Sequence, residues 1–367
     1  MTITHIRMVP YAGQQVERKF DNTKLVALNT CPTWGIIRYE HHRTYLSGNR
    51  AMALEAGGAA HQAFAAVRLC DLHWSGGEFY SGRYSPSLVQ SICEQRSRQL
   101  FGEDRTNSML RVLWEGEDKE RAITLAALDI LGSSGFYDDP GDRKRTIANI
   151  EESLIAYVSR YPLGQTLPVI LPDDRYPGGY FVGVEIPINM YLEIDSDEGP
   201  THRYNFTGRV DGVHFTDRKL SEIAVEENKT AARLDDAWRN AFITSHQPTG
   251  YCFAIGALLN VDVEHAVIRG MSIPIPKSFD YGGIVNEPIL RNQDHFIRWA
   301  KWVVYTCETT KDYLETPHDA PQFTHSCNRY FRSCPLIPFC DSPDDERIAM
   351  LNEMQVQEWS PLEEGNG

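Results

Sequence analysis

Two carboxylates and an ammonium stand in a suggestive pattern in this chain: Gly208-Arg-Val-Asp211-Gly-Val213, then thirteen residues, then Glu227-Asn-Lys229. Acidic oxygens gather hard divalent cations, and a lysine beside them adds the positive charge that phosphodiester hydrolysis needs. Scattered over a hairpin, the same residues would be a solvated face. Their context argues for convergence. Tyr204–Phe215 alternates as a strand does, Thr216-Asp-Arg-Lys219 is polar and turn-forming, and Glu222–Thr230 reads as the returning strand. With a side-chain period of two, Glu227 and Lys229 share a face while Glu226 points away, and an antiparallel partner brings Asp211 alongside.

Two further motifs fit the same chemistry. Gln247-Pro-Thr-Gly-Tyr251 lies on a segment expected to be helical from about 235 to 259, and residues four apart share a helix face. That face can orient the acidic site from behind. Upstream, Glu55-Ala-Gly-Gly-Ala-Ala-His61 is a small-residue stretch suited to close helix packing, with one imidazole. His61, Gly208…Asp211, Glu227…Lys229 and Gln247…Tyr251 together resemble the PD-(D/E)XK nuclease superfamily, in its RecB-like branch. The resemblance implies a restriction-endonuclease-like α/β core, a mixed sheet flanked by helices. It also implies Mg²⁺ or Mn²⁺ held by His61, Asp211, Glu227 and the main-chain carbonyl of Asn228. Lys229, Gln247 and Tyr251 then join Asp211 and Glu227 in catalysis. Glu185, on the strand-like run Phe181–Ile194, fits the family's first core strand. Pro248 is expected to kink or start the Gln247 helix.

Of the eight cysteines, Cys327, Cys334 and Cys340 cluster near the end of the chain, and Cys31 lies near its start. The stretch Met1–Gln15 has no long apolar run, so a secreted disulfide framework is not expected, and metal or cluster ligation is. The arrangement resembles the iron–sulfur subclass of RecB-like nucleases, which includes the AddB nuclease domain, exonuclease V and the CRISPR adaptation nucleases. In that subclass one cysteine precedes the core and three follow it. By this resemblance Cys31, Cys327, Cys334 and Cys340 hold a 4Fe–4S cluster that ties the chain ends together. The six-residue gap before Cys334 is longer than the family's usual two, which leaves His325 or Cys307 as alternatives to Cys327. A structural zinc would use the same ligands. Cys70, Cys93, Cys252 and Cys307 read as ordinary core or surface thiols.

The remaining elements must position these groups. Helices are expected at Pro86–Leu100, Asn107–Leu113, Glu117–Gly132 and Asp142–Tyr161, with a strand at about 265–274 and a long helix over Asn292–Tyr313. The expected divisions are an N-terminal segment 1–70, an inserted helical lobe 71–179, a nuclease core 180–313, a cysteine region 314–345 and an acidic, frayed tail 346–367. Pro162–Gly179 reads as the linker between lobe and core.

A net charge of −14 over 367 residues argues against a broad nucleic-acid coat. A local basic track remains open, with Arg96, Arg98, Arg111, Arg143, Lys144 and Arg145 as its candidates. No apolar run is long enough to span a membrane, and a cytoplasmic protein is expected. No Gly-x-x-x-x-Gly-Lys-Ser/Thr motif is present, so unwinding would need a helicase or recombinase partner. The expected function is a DNA exonuclease acting on single-stranded ends. The alternatives are a non-catalytic nucleic-acid-binding module on the same fold and a metal hydrolase acting on RNA.

Overall fold

The computed structural model describes residues 2–45, 52–197, 199–217, 219–275, 283–329, 332–360 and 362. Arg50, Arg218 and the end of the tail from Glu363 onward lie outside the described residues. The fold is α/β, with a mixed sheet of seven strands flanked by helices. Its elements fall into two compact units, Met1–Arg50 with Ile188–Gly208 and Gln293–Asn366, and Ala51–Pro187 with Arg209–Asn292. The long strands Val184–Ser196 and His202–Phe215 run from one unit into the other. The two units are interleaved along the sequence.

The second unit carries the hairpin. The Glu227 strand (Ile223–Ala231) pairs antiparallel with the Asp211 strand (His202–Phe215) and parallel with His265–Ser272. Ile284–Leu290, which the sequence pattern did not suggest, adds an antiparallel edge to His265–Ser272. A parallel pair needs a crossover, and the helices Asp236–Ile243 and His246–Leu259 supply it. The expected single helix over 235–259 is thus two. Ser245 caps the second, and the Arg291 guanidinium binds the carbonyls of Phe242, Ile243 and Ser245 at the break. Pro248 sits in the first turn of that second helix, where a missing N–H costs nothing.

The His61 helix (Met52–Phe79) crosses the expected boundary at 70/71. It is buried on most sides: Ala56, Ala60, Ala63 and Ala66 are near zero exposure, as are Leu69 and Leu72. Small residues also carry it past the Gly-Gly pair. A Cβ on Gly76 would fall 2.5 Å from Val89 and one on Gly77 2.8 Å from Pro86, so these glycines let the helix Pro86–Phe101 approach. Helices Glu103–Glu115, Lys119–Gly132 and Ile147–Arg160 complete the helical part within this same unit. Within the expected linker, Ile170–Pro172 pairs with Tyr180–Val182, so this segment is partly sheet.

The first unit holds both ends of the described chain. Ile3–Pro10 pairs antiparallel with residues 190–196, and Arg18–Phe20 pairs parallel with Tyr204–Phe206. Trp299, on the helix Gln293–Thr310, is fully buried against Phe20 and Phe206. Two helices not anticipated from the sequence, Asn22–Thr30 and Pro32–Tyr39, meet at Cys31. The tail is not frayed through residue 359. Asp344–Glu353 is helical, Gln355–Val356 pairs with Arg43–Thr44, and the Trp359 indole donates to Asp21 at 2.7 Å.

Candidate metal centre

The Glu227 strand is covered on both faces, so its first six residues are buried. Alternation then decides what each side chain meets. Glu227 Oε1 accepts from Lys229 Nζ at 2.5 Å and from Gln247 Nε2 at 2.8 Å. Gln247 also donates to the Tyr251 hydroxyl at 3.4 Å, so the two residues expected to share a helix face do so. The other oxygen of Glu227, Oε2, is buried with no hydrogen-bond partner. Across the hairpin, Asp211 Oδ2 accepts the Asn228 backbone N–H at 2.6 Å, and Asp211 Oδ1 lies 3.4 Å from His61 Nδ1. Asn228 offers this patch only its main chain, because its side chain accepts from Tyr157. The mouth of the patch is at His61 and Lys229, 31 % and 27 % exposed, while Asp211 and Glu227 are 8 % and 4 %.

Glu185 completes the patch. His61, Glu185 and Asp211 each offer a ligand atom within 4.8 Å of the others. Glu185 follows a break between two strands at Gly183, where a Cβ would fall 2.0 Å from the Val213 carbonyl oxygen. Glu185 itself has φ +50, unusual for a side-chain-bearing residue, and such strain gathers at functional sites. Arg96 holds this turn by donating to the carbonyls of Val184 and Glu185, both at 2.8 Å. Sequence pattern marked Glu185 only as a core-strand residue, since neither the break nor the left-handed turn leaves a periodic trace.

Three carboxylates in one buried patch disturb one another. Burial and the Asp211 charge push both Glu185 and Glu227 up to about 7. Burial acts upward on Asp211 too, but His61 and Lys229 overcome it and hold Asp211 well below the usual carboxylate range. Burial pulls down on Lys229, and Glu227 and Asp211 more than reverse it, so its ammonium is stabilised. The donor set fits a divalent cation on structural grounds. His61, Glu185 and Asp211 each offer one ligand atom, with Arg68 Nη1 3.8 Å from Glu185 Oε1; Glu227, whose Oε2 is buried with no hydrogen-bond partner, borders this three-residue group without belonging to it.

The opposite face of the same strand is saturated. Glu226 takes Arg68 Nε at 2.7 Å and Arg269 Nε at 2.8 Å, with the Tyr161 hydroxyl at 3.4 Å. Burial pushes its pKa up, but the two guanidinium groups together outweigh burial and hold Glu226 down at about 2. Arg68, seven residues along the helix from His61, also donates to the Asp211 carbonyl at 3.0 Å. It therefore locks the His61 helix to the hairpin.

In the first unit the chain brings Cys327 and Cys334 together. Between Cys327 and Cys334, Asn328–Arg329 pairs antiparallel with Arg332–Ser333, Asn328 opposite Ser333 and Arg329 opposite Arg332. The base of this pairing closes through Cys334 N–H to the Cys327 carbonyl at 2.7 Å, so the long gap does not separate the two residues. Cys340 follows on the short helix Ile337–Asp341, and Leu336 and Phe339 pack on Ile37 beside Cys334 and Cys340. Burial raises the thiols of Cys334 and Cys340, the latter to about 11, and the nearby sulfurs of Cys31 and Cys327 add to both shifts. His325 instead stacks on Phe323, and Cys307 is governed by burial beside Arg18 and Lys24. Cys70, Cys93 and Cys252 are fully buried, and burial raises each of them, as befits inert core thiols.

The expected basic track narrows. Arg96 is committed to backbone carbonyls, Arg98 pairs with Glu94 and Glu103, and Arg145 pairs with Asp142. Arg111, Arg143 and Lys144 remain exposed. No helix among the described residues is long and apolar enough to cross a membrane. No protein-family model matches the chain, and no curated protein matches it.

Proposed function

We propose that this chain is a metal-dependent deoxyribonuclease of the PD-(D/E)XK superfamily, RecB-like branch, shortening DNA from single-stranded ends. The observation that carries the reading is the convergence of the ligand atoms of His61, Glu185 and Asp211, with the Glu227–Lys229 pair electrostatically coupled to Asp211 from the neighbouring strand. Mg²⁺ or Mn²⁺ would be held by His61, Asp211 and carboxylate oxygens of Glu185 and Glu227, beside the main chain of Asn228. When bound, such an ion polarises a phosphoryl oxygen and makes water a better nucleophile at neutral pH.

The chain's own groups do the rest. Lys229 keeps its proton and offers a hydrogen-bond donor and a positive charge to the phosphoryl oxygens as negative charge builds. Gln247, braced by Tyr251, fixes the Glu227 carboxylate so that Oε2 stays aimed away from Lys229. Arg68 fixes the main chain at Asp211. Arg111, Arg143 and Lys144 are the exposed cations available to a DNA backbone.

In the first unit, Cys31, Cys327, Cys334 and Cys340 would hold a 4Fe–4S cluster as a staple on the chain ends, with structural zinc as the other occupant of the same thiols. The test is degradation of end-labelled single-stranded DNA by anaerobically purified protein with Mn²⁺, alongside its visible spectrum. Progressive shortening that stops with chelator, from a brown protein, is expected. No cleavage of DNA would remove the nuclease reading, preferred cleavage of competing RNA would replace the substrate, and a colourless active protein would replace the cluster with zinc.

A further inference from the structure

We propose that Glu17, His202 and Glu308 form a second divalent-cation site, in the first unit, that takes a transition cation such as Zn²⁺ or Mn²⁺. His202 Nδ1 lies 3.7 Å from Glu17 Oε2 and 3.6 Å from Glu308 Oε1, and all three ligand atoms fall within 4.8 Å of one another. These separations are too long for hydrogen bonds. They suit an ion: a point equidistant from three atoms so spaced lies roughly 2.1–2.4 Å from each, close to the lengths of zinc–nitrogen and zinc–oxygen bonds.

The carboxylates are already oriented for it. Glu17 Oε1 accepts the Arg203 backbone N–H at 2.9 Å, which leaves Oε2 facing His202. Glu308 Oε2 is taken by Lys311, which leaves Oε1 facing His202. One oxygen of each carboxylate is thus held by a donor and the other is turned inward, as outer partners do for metal ligands.

Tyr204 supplies an independent sign of a ligand. It is 1 % exposed, and its hydroxyl has no hydrogen-bond partner. Its ring lies parallel to His202, centroids 6.0 Å apart, and burial, then Cys307, then Glu17 and Glu308 push its hydroxyl up, against Arg18. A hydrated cation between those carboxylates gives this buried hydroxyl the partner it lacks. Glu17 and Glu308 stay 46 % and 32 % exposed, which leaves room for water ligands. One imidazole with two carboxylates suits Zn²⁺ or Mn²⁺ better than Ca²⁺. The ion would join the segment before Arg18, the start of the Asp211 strand and the last turn of the helix Gln293–Thr310, so its binding stabilises the folded unit.

The test uses Mn²⁺ alone as the probe, because thiols bind it poorly. Full-length Asp211→Asn protein, with the first centre weakened, is titrated and free Mn²⁺ is read by electron paramagnetic resonance. The expected result is one retained Mn²⁺ per chain, weakened about tenfold or more by Glu17→Gln and by Glu308→Gln, and severalfold by Tyr204→Phe, with unchanged circular dichroism. No retained Mn²⁺ in the Asp211→Asn protein would overturn the proposal, as would retention indifferent to both glutamate substitutions.

Discussion

Glu226 and Glu227 are consecutive and equally buried, yet they sit in opposite electrostatic worlds. Glu226 faces two guanidinium groups and is held down at about 2, whereas Glu227 faces Asp211 with one ammonium and is pushed up to about 7. A buried carboxylate with more than enough positive charge belongs to the framework. A buried carboxylate with little positive charge beside it and an oxygen without a donor can be satisfied by a cation, as the proposed function requires of Glu227. One strand, alternating with period two, builds both by pointing neighbours to opposite faces.

Substitutions at the cation-poor face break the comparison most strongly. Asp211→Ala and Lys229→Ala should each cut DNA cleavage by about a thousandfold or more while leaving the protein folded, as read by initial rates beside a melting curve. Full activity in either variant under both Mg²⁺ and Mn²⁺ would misassign the patch. The cysteine region sharpens the contrast from another side, since its cysteines come from near the chain ends and not from the large sheet. There Cys334→Ser should lose colour and solubility together. A soluble, colourless variant of equal stability would remove the staple. Glu185→Gln should weaken Mn²⁺ affinity at the first centre about 10- to 100-fold, measured by calorimetry. The smallest effect belongs to Gln247→Ala, about tenfold in kcat with KM little changed.

These expectations divide between what the residue order reveals and what only folding reveals. Alternation alone separates Glu227 from Glu226 and joins it to Lys229, because a strand's period is fixed by backbone geometry. The four-residue spacing joins Gln247 to Tyr251 for the same kind of reason. Glu185 was not assigned as a ligand because its approach depends on the close contact at Gly183 and on a left-handed turn held by Arg96. Arg68 and Arg269 reach Glu226 from segments distant in sequence, which no local pattern encodes. The break at 244–245 leaves no local signal, because Arg291 supplies its hydrogen bonds from more than forty residues away. The tail reads as solvent-borne by its acidity, yet Trp359 finds Asp21 and secures it.

The most direct test sets Glu227→Gln beside Glu226→Gln and measures cleavage of single-stranded DNA and melting temperature on both. Glu227→Gln should lose cleavage about a thousandfold and keep or raise its melting temperature, because it removes a buried charge short of cations. Glu226→Gln should leave two arginines buried without a counter-charge. That costs about 3–5 kcal/mol, or about 10 °C in melting temperature, while the folded fraction still cleaves. The reverse pattern, an active Glu227→Gln or a stable but inactive Glu226→Gln, would contradict the division of the two faces into framework and active centre.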